Sequence, residues 1–212
     1  MDGSVVFAPL VLAAVGGLLV WVVQYALRKE AERARSWELF GQGRGLAFVP
    51  RSGPWYAQKP ARLEGRLRDV PVTVDTFVVS TGKSSTTYTR VTAQDLVPQE
   101  RYARVYREGA LGALGDLLGF QDVAVGDEPF DRACVVKADD EAGARELLHK
   151  PLRDALLRWL DAGVQGGSFV YDRGQIKLVW FGAEVRHVVL AAAVDAAVEA
   201  GAFRGVEPRV FR

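Results

Sequence analysis

VVFAPLVLAAVGGLLVWVVQYALRKEAERAR, residues 5–35, begins uncharged and ends densely charged. From Gly3 to Leu27 there is no Asp, Glu, Lys, Arg or His. That run of about 25 residues would form a helix of about 37 Å at ~1.5 Å per residue, against a hydrocarbon core of about 30 Å. A soluble core helix of this length would carry a polar stripe, and Gln24 is the one strongly polar side chain inside. A cleaved leader fits poorly, because the first residues hold Asp2 and no Lys or Arg. The run also outlasts the usual apolar length of a leader, about 7–15 residues. It closes on Trp21-Val22-Val23-Gln24-Tyr25 rather than on small residues.

The segment 1–27 is therefore expected to be an uncleaved transmembrane anchor, and the protein a single-pass protein of the inner (plasma) membrane. Arg28, Lys29, Arg33 and Arg35 follow the span while Asp2 precedes it. Basic residues favour the cytoplasmic side, so the N-terminus is expected outside and the bulk of the chain in the cytoplasm. Trp21 and Tyr25 suit the inner membrane interface. Ala13-x-x-x-Gly17 is a small-xxx-small pair that would let two spans pack as a dimer.

The helix is expected to continue through RKEAERARSWELF, where Glu30–Arg33 and Glu32–Arg35 stand at i,i+3. GQGRG at 41–45 breaks it. Residues 28–45 thus read as a polar helical stalk, and 46–212 as one cytoplasmic domain. The charge is balanced at 27 basic against 26 acidic residues, so no strong field attracts nucleic acid. One cysteine, Cys134, rules out a disulfide within the chain; its setting in DRACVVKA reads as a small buried hydrophobe.

The domain reads as α+β: a mostly antiparallel sheet, two consecutive helices, a hairpin and a C-terminal helix. ARLEGRLRDVPVTVDTFVV forms two strands around Arg68-Asp69, with a change of parity near Thr76. STTYTRVTAQDL is another strand, and STGKSS the hairpin loop before it. RYARVYR adds an edge strand, EGALGALGDLLGF a short helix, and QDVAVGDEPFDRACVVKA two strands around a turn. Leu152, Ala155, Leu156, Trp159 and Leu160 make one face of a helix that Pro151 opens. GSFVYDRGQIKLVWFG is a hairpin about Asp172-Arg173-Gly174, and VRHVVLAAAVDAAVEAG a last helix.

Few motifs carry chemistry. Gly82-Lys83-Ser84 lacks the first glycine of a phosphate-binding loop, where Phe77 stands, and lies between strands. His149 and His187 have no metal-ligand companions at suitable spacing. No G-x-S-x-G is present. Asp127, Glu128 and Asp131 cluster; close carboxylates suit a divalent cation or acid–base work, but turn chemistry beside a strand is the favoured reading. Trp55 and Tyr56, between two prolines, suit the rim of a core or the mouth of a pocket. No cofactor and no metal are expected.

DEPFDRACVVKADDEAGARELLHKPLRDALLRWL, at 127–160, resembles a group of uncharacterised bacterial membrane-anchored proteins, a domain of unknown function. The resemblance rests on Phe130-Asp131 before a strand, the acidic start Asp139-Asp140, the Ala144–Leu148 helix and the helix led by Pro151. It implies a folded part placed after hydrophobic N-terminal helix, and no activity.

Function is expected first as non-enzymatic docking or scaffolding of a protein partner. The second expectation is a small-molecule or lipid sensor with Trp55 and Tyr56 near its pocket. The third is a hydrolase using the Asp127 and Asp131 carboxylates.

Overall fold

The computed structural model describes residues 4–54, 59–82, 84–107 and 121–203, with side chains from Gly16 onward. One helix, α1, runs unbroken over Ser4–Arg44. Strands β1 (Ala47–Val49), β2 (Arg62–Leu67), β3 (Val70–Ser80), β4 (Ser85–Gln94), β5 (Tyr102–Tyr106) and β6 (Gln121–Asp122) follow. Then come α2 (Glu128–Ala133), β7 (Val135–Ala138), α3 (Glu141–Leu147), α4 (Lys150–Asp161), β8 (Ser168–Asp172), β9 (Gln175–Phe181) and α5 (His187–Gly201). The strands join one sheet in the order β1-β2-β3-β4-β9-β8-β5-β7-β6, and every pairing among the described residues is antiparallel.

The alternation in β3 sets the two faces. Val70, Val72, Val74 and Thr76 are buried, while Pro71, Thr73, Asp75 and Phe77 point to the other side. Register carries the pattern across the sheet: Val74 lies opposite Val91, and Val91 opposite Leu178. Phe77 shows no change of parity. It belongs to the outer face, where its ring stacks on Tyr88 at 5.3 Å and Tyr88 meets Phe181 at 5.1 Å. On the same face Arg90 pairs with Asp75 in a fork of two hydrogen bonds.

α5 covers the inner face. Its Val189, Leu190, Ala193, Val194 and Ala197 are fully buried. The small side chains allow close approach: a Cβ on Gly201 would lie 2.7 Å from Val70 Cγ1. α4 packs on α5 through Leu152, Ala155, Leu156, Trp159 and Leu160, the face the sequence predicts.

Three expectations are corrected. The first is the transmembrane anchor. Among the described residues no helix is long and apolar enough to cross a membrane. The single-pass inner-membrane location, and the orientation that rested on it, fall with that span. The second concerns RYARVYR: β5 is an interior strand, held between β8 and β7. The third concerns GDEPFDRA, which is a helix start rather than a turn between strands; Asp127 caps α2 and Pro129 stands in its first turn. The helix expected in EGALGALGDLLGF lies outside the described residues.

The segment expected as a stalk continues α1. Of its two expected pairs Glu30–Arg33 stands at 3.9 Å, whereas Glu32 takes Lys29 at 3.1 Å in place of Arg35. Yet Trp37 and Phe40 are buried, so the last turns of α1 are part of the core. The helix continues past Gly41 and Gly43 to Arg44 before Gly45 turns the chain at φ 72°.

Candidate functional site

α1 is pinned to the fold where β9 leads into α5. Trp37 Nε1 donates to the Glu184 carbonyl at 2.7 Å, and Ser36 Oγ donates to the Val185 carbonyl at 2.9 Å. His187 Nε2 lies 2.9 Å from the Ser36 carbonyl, and its ring packs on Phe40 at 5.6 Å. Glu184 is buried under this junction. Its carboxylate accepts from the Val185 and Arg186 amides and from Arg186 Nε and Nη2. Burial acts to raise its pKa, but the hydrogen bonds from Arg186 and the amides outweigh burial and hold the carboxyl below its usual value. Thr89 Oγ1 donates to the Gly182 carbonyl and accepts from the Glu184 amide, tying the loop to β4.

N-terminal to these pins, a groove of about 860 Å³ opens between α1 and the far ends of β3 and β4. Ala26, Ser36, Thr76, Phe77, Val78, Thr87, Ala183 and Val185 line it, with Lys29, Glu30, Glu32, Arg33 and Arg51 along its edges. Glu30 lies 3.1 Å from Arg51 and 3.9 Å from Arg33. The hydrogen bond from Lys29 to Glu32 raises the lysine's pKa, so it stays cationic. Val78 and Val185 are 61% and 44% exposed, an apolar surface left open to solvent.

A second cleft, of about 630 Å³, separates the end of α1 from α4 and α5. It is polar, and its charges are largely paired: Arg44 with Asp195 at 2.5 Å, and Arg68 with Glu199 at 2.7 Å.

The residues singled out in the sequence are scattered. Trp21 and Tyr25 stack on each other at 5.7 Å on the exposed part of α1, and Lys29 lies 5.9 Å from the Tyr25 ring centre. Arg28 and Arg35 are exposed, and Arg33 reaches the groove edge. Trp55 and Tyr56 lie outside the described residues, as does Lys83. Asp131 accepts from the amides of Val125, Gly126 and Asp127, at 2.9–3.1 Å. Asp127 caps α2 and pairs with Arg153 at 2.9 Å. Both carboxylates are thus occupied with holding one loop. Burial pushes the Cys134 thiol up to about 11, far from a thiolate at neutral pH. Among the described residues no group of three or more metal-ligating side chains comes together.

The junction of Ser36, Trp37, Glu184 and His187 was not foreseen. A weak signal existed: Trp37, Phe40 and Gly41 stand at i, i+3 and i+4 inside an otherwise charged helix. The groove leaves no such signal, because its two walls are about fifty residues apart in the chain.

No family model matches the chain, and no curated protein matches it. Among solved structures, the fold is similar to the crystal structure of the mycobacterial trehalose monomycolate transport factor A, TtfA. The TM-score is 0.53 at 10% sequence identity, over 79% of this chain and 91% of that one. At that identity the likeness is one of fold alone.

Proposed function

We propose that the chain is a non-enzymatic accessory domain of a lipid-transport system, acting by docking a protein partner. The observation that carries the docking is the surface of α1. Leu18, Leu19, Val20, Trp21, Val22, Val23, Tyr25 and Leu27 are each 48–62% exposed, a continuous apolar surface that no described residue covers. Contiguous apolar surface of this kind marks an interaction site. The pins at Ser36 and Trp37 fix its direction relative to the sheet, so a partner bound there is oriented with respect to the folded part. Asp127, Asp131 and Cys134, the groups with the best claim to chemistry, are taken up in loop geometry or buried as a neutral thiol. The transport setting rests on the fold shared with a transport factor.

A photo-crosslinking residue at Leu19 or Val23 in intact cells tests the reading. A discrete adduct to a component of lipid-transport machinery, absent when the residue is placed at exposed Glu38, is the expected result. Adducts to lipid or to a second copy only would overturn docking. A discrete adduct to a protein with no part in lipid transport would overturn the transport setting.

A further inference from the structure

The inner face of β3 runs Val70, Val72, Val74, Thr76, Val78. The first four are buried, and the fifth is 61% exposed. α5 covers the beginning of the strand, with Gly201 against Val70. No described element covers its end, although this is still the core-facing side. Thr87 lies directly opposite Val78 on β4 and continues the uncovered strip. Ala183 and Val185 close one side and Ala26 the other. The floor of the groove is therefore a piece of sheet face that sequence alternation prepares for apolar contact and that the chain leaves open.

The rim differs in kind. Lys29, Arg33 and Arg51 stand against Glu30 and Glu32, an excess of one positive charge. Glu30 is shared between two arginines. Its 3.9 Å separation from Arg33 exceeds hydrogen-bond length, so Arg33 keeps donors for another acceptor. A planar guanidinium matches a carboxylate or phosphate through two parallel hydrogen bonds. At about 860 Å³ the groove is within the usual size of small-molecule sites, about 300–1,000 Å³.

From this pairing of an apolar floor with a cationic rim, we infer that the groove between α1 and the β3–β4 ends binds a single-chain anionic amphiphile. The alkyl chain lies along Val78, Thr87 and Val185, and the anionic head faces Arg33 and Arg51. The shared chemistry of a fatty carboxylate and an alkyl phosphate satisfies both halves of the site. The inference does not depend on which protein docks on α1.

The test uses the full chain and cis-parinaric acid, a fatty carboxylate that fluoresces in apolar surroundings. Saturable binding at one equivalent is expected, with displacement by dodecanoate or dodecyl phosphate. The stronger of these two competitors identifies the head group. Dodecyltrimethylammonium, of equal chain length and opposite charge, should displace at least about tenfold less well. Ala26→Trp plugs the groove from α1, and Val78→Asp places a charge on its floor. Both positions are exposed, so the unfolding transition should stay in place while affinity falls about tenfold or more. Arg33→Glu should weaken dodecanoate but leave neutral dodecanol unchanged.

Unsaturable partitioning, or equal displacement by anion and cation, would overturn the inference. So would binding that survives Ala26→Trp and Val78→Asp but is lost in the double variant Leu19→Ser, Val23→Ser. That result would assign the chain to the exposed surface of α1 instead.

Discussion

Trp37 Nε1 donates to the Glu184 carbonyl oxygen at 2.7 Å, joining the charged half of α1 to the loop before α5 across 147 positions of the sequence. Both groups are buried, so the bond forms where an unpaired partner would be costly. Trp37→Phe keeps most of the ring and removes the donor. It should cost about 1–3 kcal/mol, the range for leaving a buried acceptor unsatisfied. Trp37→Ala also empties the pocket and should cost about 3–5 kcal/mol. Urea unfolding of the two variants checks this. A Trp37→Phe variant as stable as the wild type would mean that the bond contributes nothing beyond packing.

Glu184 makes the same junction sensitive to acid. Its folded pKa is held below the unfolded value, so its stabilisation is complete above the unfolded pKa near 4.5. It is lost as pH falls through the lower folded value. Glu184→Gln should therefore be less stable than the wild type at pH 7, by about 1–3 kcal/mol for charge-assisted hydrogen bonds lost. The gap should narrow when both are unfolded well below pH 4. Asp95 works in the opposite sense. Burial raises its pKa despite the hydrogen bond from the Tyr171 hydroxyl, so its contribution improves as pH falls. An unchanged Glu184→Gln gap at low pH would show that the Arg186 contacts do not depend on charge.

The tight turns give a prediction of both signs. Arg68 and Asp69, between β2 and β3, have φ of 49° and 66°, in the left-handed region that costs an L-residue about 1–2 kcal/mol. Asp69→Gly should stabilise the protein by about 0.5–1 kcal/mol. Gly174, between β8 and β9, has φ 83°, and a Cβ there would stand 2.6 Å from Pro98 Cβ. Gly174→Ala should thus cost more than backbone strain alone, about 2–3 kcal/mol. Gly82 is the control, with φ 68° and open space around it. Its alanine variant should cost about 1 kcal/mol. Thermal unfolding of the three variants would order them, and equal effects at Gly174 and Gly82 would remove Pro98 from the account.

What could be read in advance was what local chemistry decides. Asp172-Arg173-Gly174 announces its hairpin because a two-residue turn needs positive φ, and Leu152 to Leu160 announce a helix face by spacing. β5 was misplaced at an edge because its neighbours come from distant segments: Tyr102 pairs with Asp172, and Ala103 with Ala138. Asp127 and Pro129 misled because Asp and Pro start turns and helices alike. Hydropathy alone suggested a membrane span before Arg28, since a run without charge carries no periodic signal to say what it meets. The groove was beyond reach for a related reason. Val78 continues a perfect inward alternation, and only the three-dimensional end of α5 leaves it uncovered.

The loop before α2 gives the last prediction. Asp131 gathers three consecutive amides, and Asp127 ties the same loop to Arg153 on α4. Asp131→Ala would strand three donors and should cost about 2–3 kcal/mol. Asp127→Ala removes a helix cap and a half-buried ion pair and should cost about 1–2 kcal/mol. The residues share one loop, so the double variant should lose less than the sum of the two. Chemical denaturation measures all three. Photo-crosslinking through Leu19 should be unchanged in each variant at temperatures where it remains folded, because the loop does not contribute to the exposed surface of α1. Partner capture lost in fully folded Asp131→Ala would place these carboxylates at the working surface and would require a different function for them.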